Sequence, residues 1–346
     1  MHAWAIAPLL SLAVAGPIVA QDQAHLLNLS LPTDNDALFR GDGAAFYQVV
    51  ARDFRGVQST PWEGGQYGFV RDPIETAAGI IYTRFHEGID IRPLHRDARG
   101  EPLDEVRAIA RGKVVCANLA PSLSNYGKYV VVEHTWDGSS YYSLYGHLAS
   151  IAVQPGQEIA RGERLGIMGH TGEGLEQARA HLHLELNLML SRQFESWYDT
   201  FFKHDRNRHG LYNGMNLAGI DIARLYLALR KAPALTIPQF LAQEVTFYKV
   251  ALPNSKHFDL PKLYPWLLVS AAPPEAKSWE VSFAQSGVPL KIEPSLKPVS
   301  EPELTYFRKS VLDYSELTRG TIGGRADRAF LTESGKRLMR LLIYPD

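Results

Sequence analysis

The chain has 346 residues, more than one ordinary compact domain needs, so two folded units are the first expectation. Its composition, 45% hydrophobic and 21% charged, is that of a globular protein able to bury a sizeable core. Lys plus Arg number 36 and Asp plus Glu 37, a formal net charge of -1, which argues against nucleic acid as the main partner because phosphate binding asks for a basic surplus.

Residues 3–20, AWAIAPLLSLAVAGPIVA, form an apolar run without a charge. Small-residue cleavage patterns occur at Ala13-Val14-Ala15 and near Ala20, and a polar QDQ segment follows. This reads as a signal peptide over 1–20 and predicts export to the periplasm or the extracellular space. The alternative is an uncleaved membrane anchor, since the run approaches spanning length. No later segment is long and apolar enough to span a bilayer. The single cysteine, Cys116, can form no internal disulfide, and an exported chain of this size can rely on its core instead.

Residues 21–78 include the Gly- and aromatic-rich stretch FRGVQSTPWEGGQYGFVRDP and predict short strands and turns. From 79 to 200 the pattern is strongly β. VRAIARGKVVCA and KYVVVEHTWDGSSYYSLYGHL carry β-branched and aromatic runs, and Asp137-Gly138 is a hairpin signal between two of them. IAVQPGQEIARGERLGIMGHTG places Gly at short intervals, as short strands joined by tight turns do. The texture changes near 200. NLAGIDIARLYLALRKA has helical spacing and ends in a basic turn before Pro233, and Thr236-Ile237-Pro238 marks a second helix start. VTFYKVAL and WEVSFAQSGVPLKI predict strands, the Pro- and Ser-rich stretch at 291–302 a loop, and ESGKRLMRLLIYPD a short amphipathic helix. The fold expected is a mainly β domain over 79–200 with an additional α+β region over 201–346.

Three short segments carry chemistry. In His181-Leu-His-Leu-Glu-Leu-Asn-Leu188 apolar and polar residues alternate, so a strand puts the four leucines on one face and His181, His183 and Glu185 on the other. Two imidazoles on one face lie roughly 6.5–7 Å apart at the backbone, so one can bind a metal while the other reaches the substrate. His86 and Asp90 would stand about 13 Å apart on a flat strand, too far for one metal, so the chain must bend between them. Gly88, midway, allows unusual dihedrals for that bend. His147, after the aromatic strand YYSLYG, supplies a further imidazole. Outside these, His95, Asp97 and Asp104 read as part of a surface loop, HDRNRH at 204–209 as a solvated loop, and Tyr82 and Arg84 as structural residues near the substrate path.

These segments resemble the M23 family of zinc metallopeptidases, the lysostaphin or LytM type. The likeness runs from about His86 to Asn187 and takes in His-Glu-Gly-Ile-Asp, the Asn125-Tyr126-Gly127 turn, YGHL, VQPGQEIARGERLGIMGHTG and HLHLEL in the family's order. It implies a LytM-type antiparallel β-sheet core, zinc held by His86, Asp90 and His183, and His147 and His181 as the non-ligand catalytic histidines. Three protein ligands leave one position for water, as a catalytic zinc requires. No family role carries over to Glu185, which reads as a group behind the ligands or at the surface. The implied activity is an endopeptidase cutting peptide bonds in peptidoglycan stem peptides or cross-links. Two alternatives are a non-catalytic module on the same fold that activates other wall hydrolases, and a wall carboxypeptidase or dipeptidase. Intact ligand positions argue against the first, and the four-residue His86–Asp90 spacing against the second.

Overall fold

The computed structural model describes residues 26–56, 60–271 and 273–345; the signal segment expected at 1–20 lies outside them. Strands β1 (Gly68–Thr76) and β2 (Gly79–His86) form an antiparallel hairpin. Then come β3 (Ile89–Ile91), β4 (Glu105–Arg107), β5 (Gly112–Asn118), β6 (Tyr129–Trp136) and β7 (Ser139–Gly146). The short β8 (Ser150–Ile151), β9 (Glu158–Ile159) and β10 (Arg164–Ile167) lead to β11 (Leu182–Met189) and β12 (Leu217–Gly219). The central antiparallel sheet runs β12-β11-β7-β6-β5-β9, with β3 also paired to β11. Strands β4, β10 and β8 form a small second sheet. At the β6–β7 hairpin both turn residues are left-handed, Asp137 at φ 48° and Gly138 at φ 73°, which suits the twist of the strands they join.

Strand β11 is an interior strand of this sheet and is buried on both faces. Leu182, Leu184, Leu186 and Leu188 are fully enclosed in the main core. The opposite face was expected to be polar, and it too is covered: Glu185 and Asn187 are at most 1% exposed and His183 is 6% exposed. Burying polar groups is tolerable only when they are bonded to one another, and these are.

Past residue 200 the chain stays attached to this sheet. β12, from the 201–346 region, pairs with β11 from Asn187↔Gly219 to Met189↔Leu217. Helix Ile222–Lys231 follows, N-capped by Asp221, then Ile237–Leu241 with a Thr236/Gln239 capping box. Strands β13 (Tyr248–Pro253), β14 (Ser278–Phe283), β15 (Pro289–Ser295) and β16 (Glu303–Phe307) make a four-stranded antiparallel sheet. β17 (Ser310–Asp313), β18 (Ile322–Ala326) and β19 (Arg328–Leu331) make a three-stranded one, and helix Glu333–Ile343 closes the chain. The loop expected over 291–302 begins only after Ser295, because Ile292 is a core residue and β15 pairs with β14 as far as Ser295. The α+β character of the C-terminal region and the mainly antiparallel β character of the rest agree with the sequence.

Candidate metal centre

The site is built where β2, β3, β7 and β11 meet. His86 ends β2, and the chain turns at Glu87–Gly88 into β3, which carries Asp90. Gly88 is needed here, but not for its dihedrals, since its φ is not positive. A side chain at 88 would put its Cβ 2.3 Å from the Leu184 carbonyl oxygen, so only glycine lets the turn pack on β11. In register, His183 of β11 stands opposite Asp90 on one side and Gly146 on the other. His147, the next residue, is held in the left-handed region at φ 62°, an uncommon conformation for a non-glycine residue.

Each histidine of the cluster has one ring nitrogen tied to a fixed acceptor. Nδ1 of His86 lies 2.7 Å from the Gln66 carbonyl, Nδ1 of His181 2.7 Å from that of Arg179, and Nδ1 of His147 2.9 Å from that of Thr171. A carbonyl only accepts, so the proton sits on Nδ1 and Nε2 is left free. His183 is turned the other way, its Nε2 donating to Glu185 Oε1 at 2.8 Å and its Nδ1 facing Asp90 Oδ1 at 2.9 Å. His86 Nε2 lies 3.1 Å from both His183 Nδ1 and Asp90 Oδ1.

Three acceptor atoms this close need a proton or a cation between them. Ligand atoms about 2.0–2.1 Å from a tetrahedral zinc are roughly 3.3 Å apart, so the donor set fits zinc in both chemistry and spacing. Among the described residues, His86, Asp90 and His183 are the group of three whose ligand atoms gather in this way. His181 Nε2 also reaches Asp90 Oδ1, at 3.3 Å, and its ring is 4.6 Å from that of His147. The structure therefore brings together all five residues singled out in the sequence.

The protonation balance follows from burial and neighbours. Burial alone would raise the Asp90 carboxyl, but His181, His86 and Arg71 hold it well below the usual carboxylate range. Burial lowers His86, and it lowers His147 well below the ordinary imidazole value, with the nearby His181 and His183 adding to the effect. For His183 burial is outweighed by hydrogen bonds to Asp90 and Glu185, which push it up to about 10 in the absence of metal.

Four further groups stand around the cluster; of these the sequence had pointed only to Glu185, as a group behind the ligands or at the surface. Glu185 is buried behind His183 and also accepts from Tyr126 Oη at 2.8 Å and Asn187 Nδ2 at 2.9 Å. Its position two residues after His183 on one strand face was the available signal. Arg71, on β1, donates to Asp90 Oδ2 at 2.5 Å and through Nε to the Gly64 carbonyl at 2.9 Å. This leaves Asp90 Oδ1 for the cluster. Nothing in the sequence near Arg71 pointed to it. Arg319, far along the chain, pairs with Glu87 at 2.5 Å and lies 4.9 Å over the Phe85 ring, so it holds both neighbours of His86. His209, read as part of a solvated loop, is half-buried and lines the cleft, because its Nδ1 is drawn in by the Tyr129 hydroxyl at 2.8 Å. Tyr82 lies under the Arg52 guanidinium at 3.8 Å, while Arg84 lines the cleft. His95, Asp97 and Asp104 stand apart from it. Asp104 accepts the backbone N–H groups of Leu94 and His95, and Asp97 those of Arg99 and Glu101.

The cluster opens into a cleft of about 860 Å³. It is bordered by residues of the N-terminal segment such as Arg52 and Arg71, by the Ser124–Tyr126 turn, and by the 205–214 loop.

Comparisons with known proteins bear on this geometry. The model of Peptidase family M23 matches residues 84–193, a stretch that contains all five clustered residues. Over 60 residues the chain is 43% identical to the peptidoglycan DD-endopeptidase ShyA of Vibrio cholerae, covering 17% of this chain and 13% of that one. Over 82 residues it is 39% identical to the murein hydrolase activator EnvC of Escherichia coli, covering 24% and 17%. Over 89 residues it is 33% identical to the lipoprotein NlpD of Yersinia enterocolitica, covering 26% of this chain and 79% of that one. The chain thus spans less than a fifth of the first two relatives and most of the third. With the matched stretch enclosing the whole cluster and one relative covered over most of its length, the chain belongs to peptidase family M23.

Proposed function

We propose that this chain is a zinc-dependent metalloendopeptidase that hydrolyses peptide bonds in peptidoglycan stem peptides or cross-links. The observation that carries the reading is the convergence of His86 Nε2, Asp90 Oδ1 and His183 Nδ1 beside two further imidazoles in an open cleft. His86, Asp90 and His183 would hold the metal. A bound zinc supplies Lewis-acid polarisation of the scissile carbonyl and lowers the pKa of water. His147 keeps its Nδ1 proton on the Thr171 carbonyl, so Nε2 is a base fixed in direction, suited to take a proton from the attacking water. His181 is oriented in the same way by the Arg179 carbonyl. When its Nε2 carries a proton it is a donor toward the charge that develops on the carbonyl oxygen. Glu185 fixes the His183 tautomer, as a carboxylate behind a ligating histidine does.

The substrate and an envelope location are inferred from the likeness to ShyA and NlpD. Among the described residues no helix is long and apolar enough to cross a membrane. Measurement of bound zinc, together with digestion of purified cell wall and assay of newly released amines, tests the reading. Protein that holds no zinc and releases no amines would sink it. The likeness to EnvC supports a second reading, an activator of other wall hydrolases. That reading predicts a protein without hydrolysis of its own that raises the rate of a purified murein hydrolase added to it.

A further inference from the structure

The loop after residue 203 lies outside the stretch matched to the family, yet it forms one side of the cleft through Asp205, Arg206, Arg208, His209 and Asn213. It is a fixed surface. Asn207 donates to the Gly210 carbonyl at 2.9 Å and accepts from the His209 N–H at 3.1 Å and from Asn213 Nδ2 at 3.2 Å. At its base the buried Asn216 side chain donates to the carbonyls of Ser191 and Leu211, both at 2.9 Å.

Arg206 and Arg208 against the single acid Asp205 leave the cleft-lining part of this loop net positive. Elsewhere in the cleft Arg52 faces Glu63, Arg71 faces Asp90 and Arg84 faces Asp72, while Arg179 on the opposite loop has no carboxylate partner among the described residues. Arg206 and Arg208 are exposed, and among the described residues neither has a carboxylate within ion-pairing distance. The one acid on the loop that lines the cleft, Asp205, is engaged by the Tyr198 hydroxyl at 2.8 Å.

His209 adds a neutral donor. Burial keeps the Tyr129 phenol protonated; the Cys116 thiol donates weakly to its oxygen at 3.9 Å, which directs the phenol proton to His209 Nδ1 at 2.8 Å. The nitrogen takes it, so the imidazole proton of neutral His209 sits on Nε2, which has no protein partner among the described residues. Burial, with Arg208 adding to it, lowers the His209 pKa and favours that neutral form. The His209 ring is one aromatic step from the metal cluster: its centroid is 6.4 Å from that of Tyr126, which is 5.6 Å from that of His183.

We propose that this side of the cleft is a carboxylate-binding subsite, in which His209 Nε2–H and the Arg206 and Arg208 guanidiniums receive a free carboxylate of the peptide near the bond to be cut. The inference rests on the peptidase reading for its placement beside the scissile bond.

Three labelled peptides of one backbone test it by fluorescence anisotropy with the full chain. One has an amidated terminus and no acidic side chain, one a free C-terminal carboxylate, and one a single acidic side chain. One or both acidic peptides should bind about tenfold more tightly than the neutral one, the scale of a charge-assisted hydrogen bond. Which of the two does so tells a chain terminus from a side chain as the source. The double variant Arg206→Gln/Arg208→Gln should abolish the preference with zinc content and Tm unchanged, and His209→Phe should abolish it with zinc content unchanged and Tm lowered, because the buried Tyr129 hydroxyl loses its acceptor. His209→Gln, which keeps an N–H donor, should retain part of it. Equal binding of all three peptides, or a preference that survives in the arginine double variant, would overturn the proposal. Zinc uptake and wall hydrolysis, measured on the same preparations, report separately on the peptidase reading, since binding does not depend on turnover.

Discussion

At the scale of the residue, His147 and His183 are distinguished by which nitrogen each leaves free and toward what. His183 faces Asp90 and His86, while His147 faces the cleft with its Nδ1 bound to Thr171. His147→Ala should therefore keep zinc while activity falls by about 10²–10⁴-fold, the usual contribution of a general base. His183→Ala should lose both. Metal analysis beside a wall-digestion assay separates the two; equal zinc loss in both variants would contradict the assignment. Glu185 acts one bond further back. Glu185→Gln removes the charge opposite His183 Nε2 and should weaken zinc binding by about 10–100-fold, read by competition with a chromogenic chelator. The histidines and Asp90 were legible because residue type and spacing carry their chemistry. Arg71 was not, because its contact with Asp90 joins positions 19 apart through a hairpin whose placement no local pattern encodes.

At the scale of the element, the turn between β2 and β3 and the interior of β6 are the sensitive places. Gly88→Ala must push its Cβ against the Leu184 carbonyl, so the turn and β11 would separate just where His86 and Asp90 have to meet His183. A fall in Tm together with lost zinc is expected; a variant with normal zinc affinity would mean that the turn adapts. In β6, His134 is enclosed, with Nδ1 2.8 Å from the Arg111 carbonyl and Nε2 2.7 Å from Ser143 Oγ. Burial lowers its pKa to about 4 from 6.5. Between those values the unfolded chain takes up a proton that the folded chain refuses, so stability is lost as pH falls through that window, by up to about 3 kcal/mol. Urea unfolding across the window, with zinc removed by chelator, should show a shallower pH dependence for His134→Gln than for the wild-type chain. Parallel curves would show that His134 does not contribute. Alternation gave β11 its strand character and its leucine face. It could not reveal that the histidine face is covered as well, because the Asp90, His86 and Tyr126 side chains that meet His183 and Glu185 come from outside the strand.

At the scale of the whole molecule, the C-terminal region is tied into the sheet that bears the site. β12 pairs with β11, the Tyr264 hydroxyl accepts the Met189 N–H at 2.8 Å, and Trp197 Nε1 donates to the Arg337 carbonyl at 3.1 Å. Arg319 reaches Glu87 and Phe85 on either side of His86. The buried leucines of β11 share one continuous core with Leu252, Ile292 and Ile343. Sequence texture marked a change near 200, but cross-chain packing of this kind leaves no periodic trace, since each half carries its own regular pattern. We therefore predict that a chain ending at residue 203 does not fold independently. It would leave the β11 edge beyond Glu185 unpaired and expose core leucines, a combination that favours aggregation. The full chain should unfold in one cooperative thermal transition. The shortened chain should be insoluble, or soluble without a cooperative transition and without zinc. A soluble 26–203 fragment that melts cooperatively and binds zinc as tightly as the full chain would show that the C-terminal region is dispensable to the site. If the fragment fails, Arg319→Ala then asks how much of that dependence passes through the turn at His86. A few-fold loss of zinc affinity, restored in part by Arg319→Lys, is the expected outcome for an exposed pair that acts by holding a ligand turn.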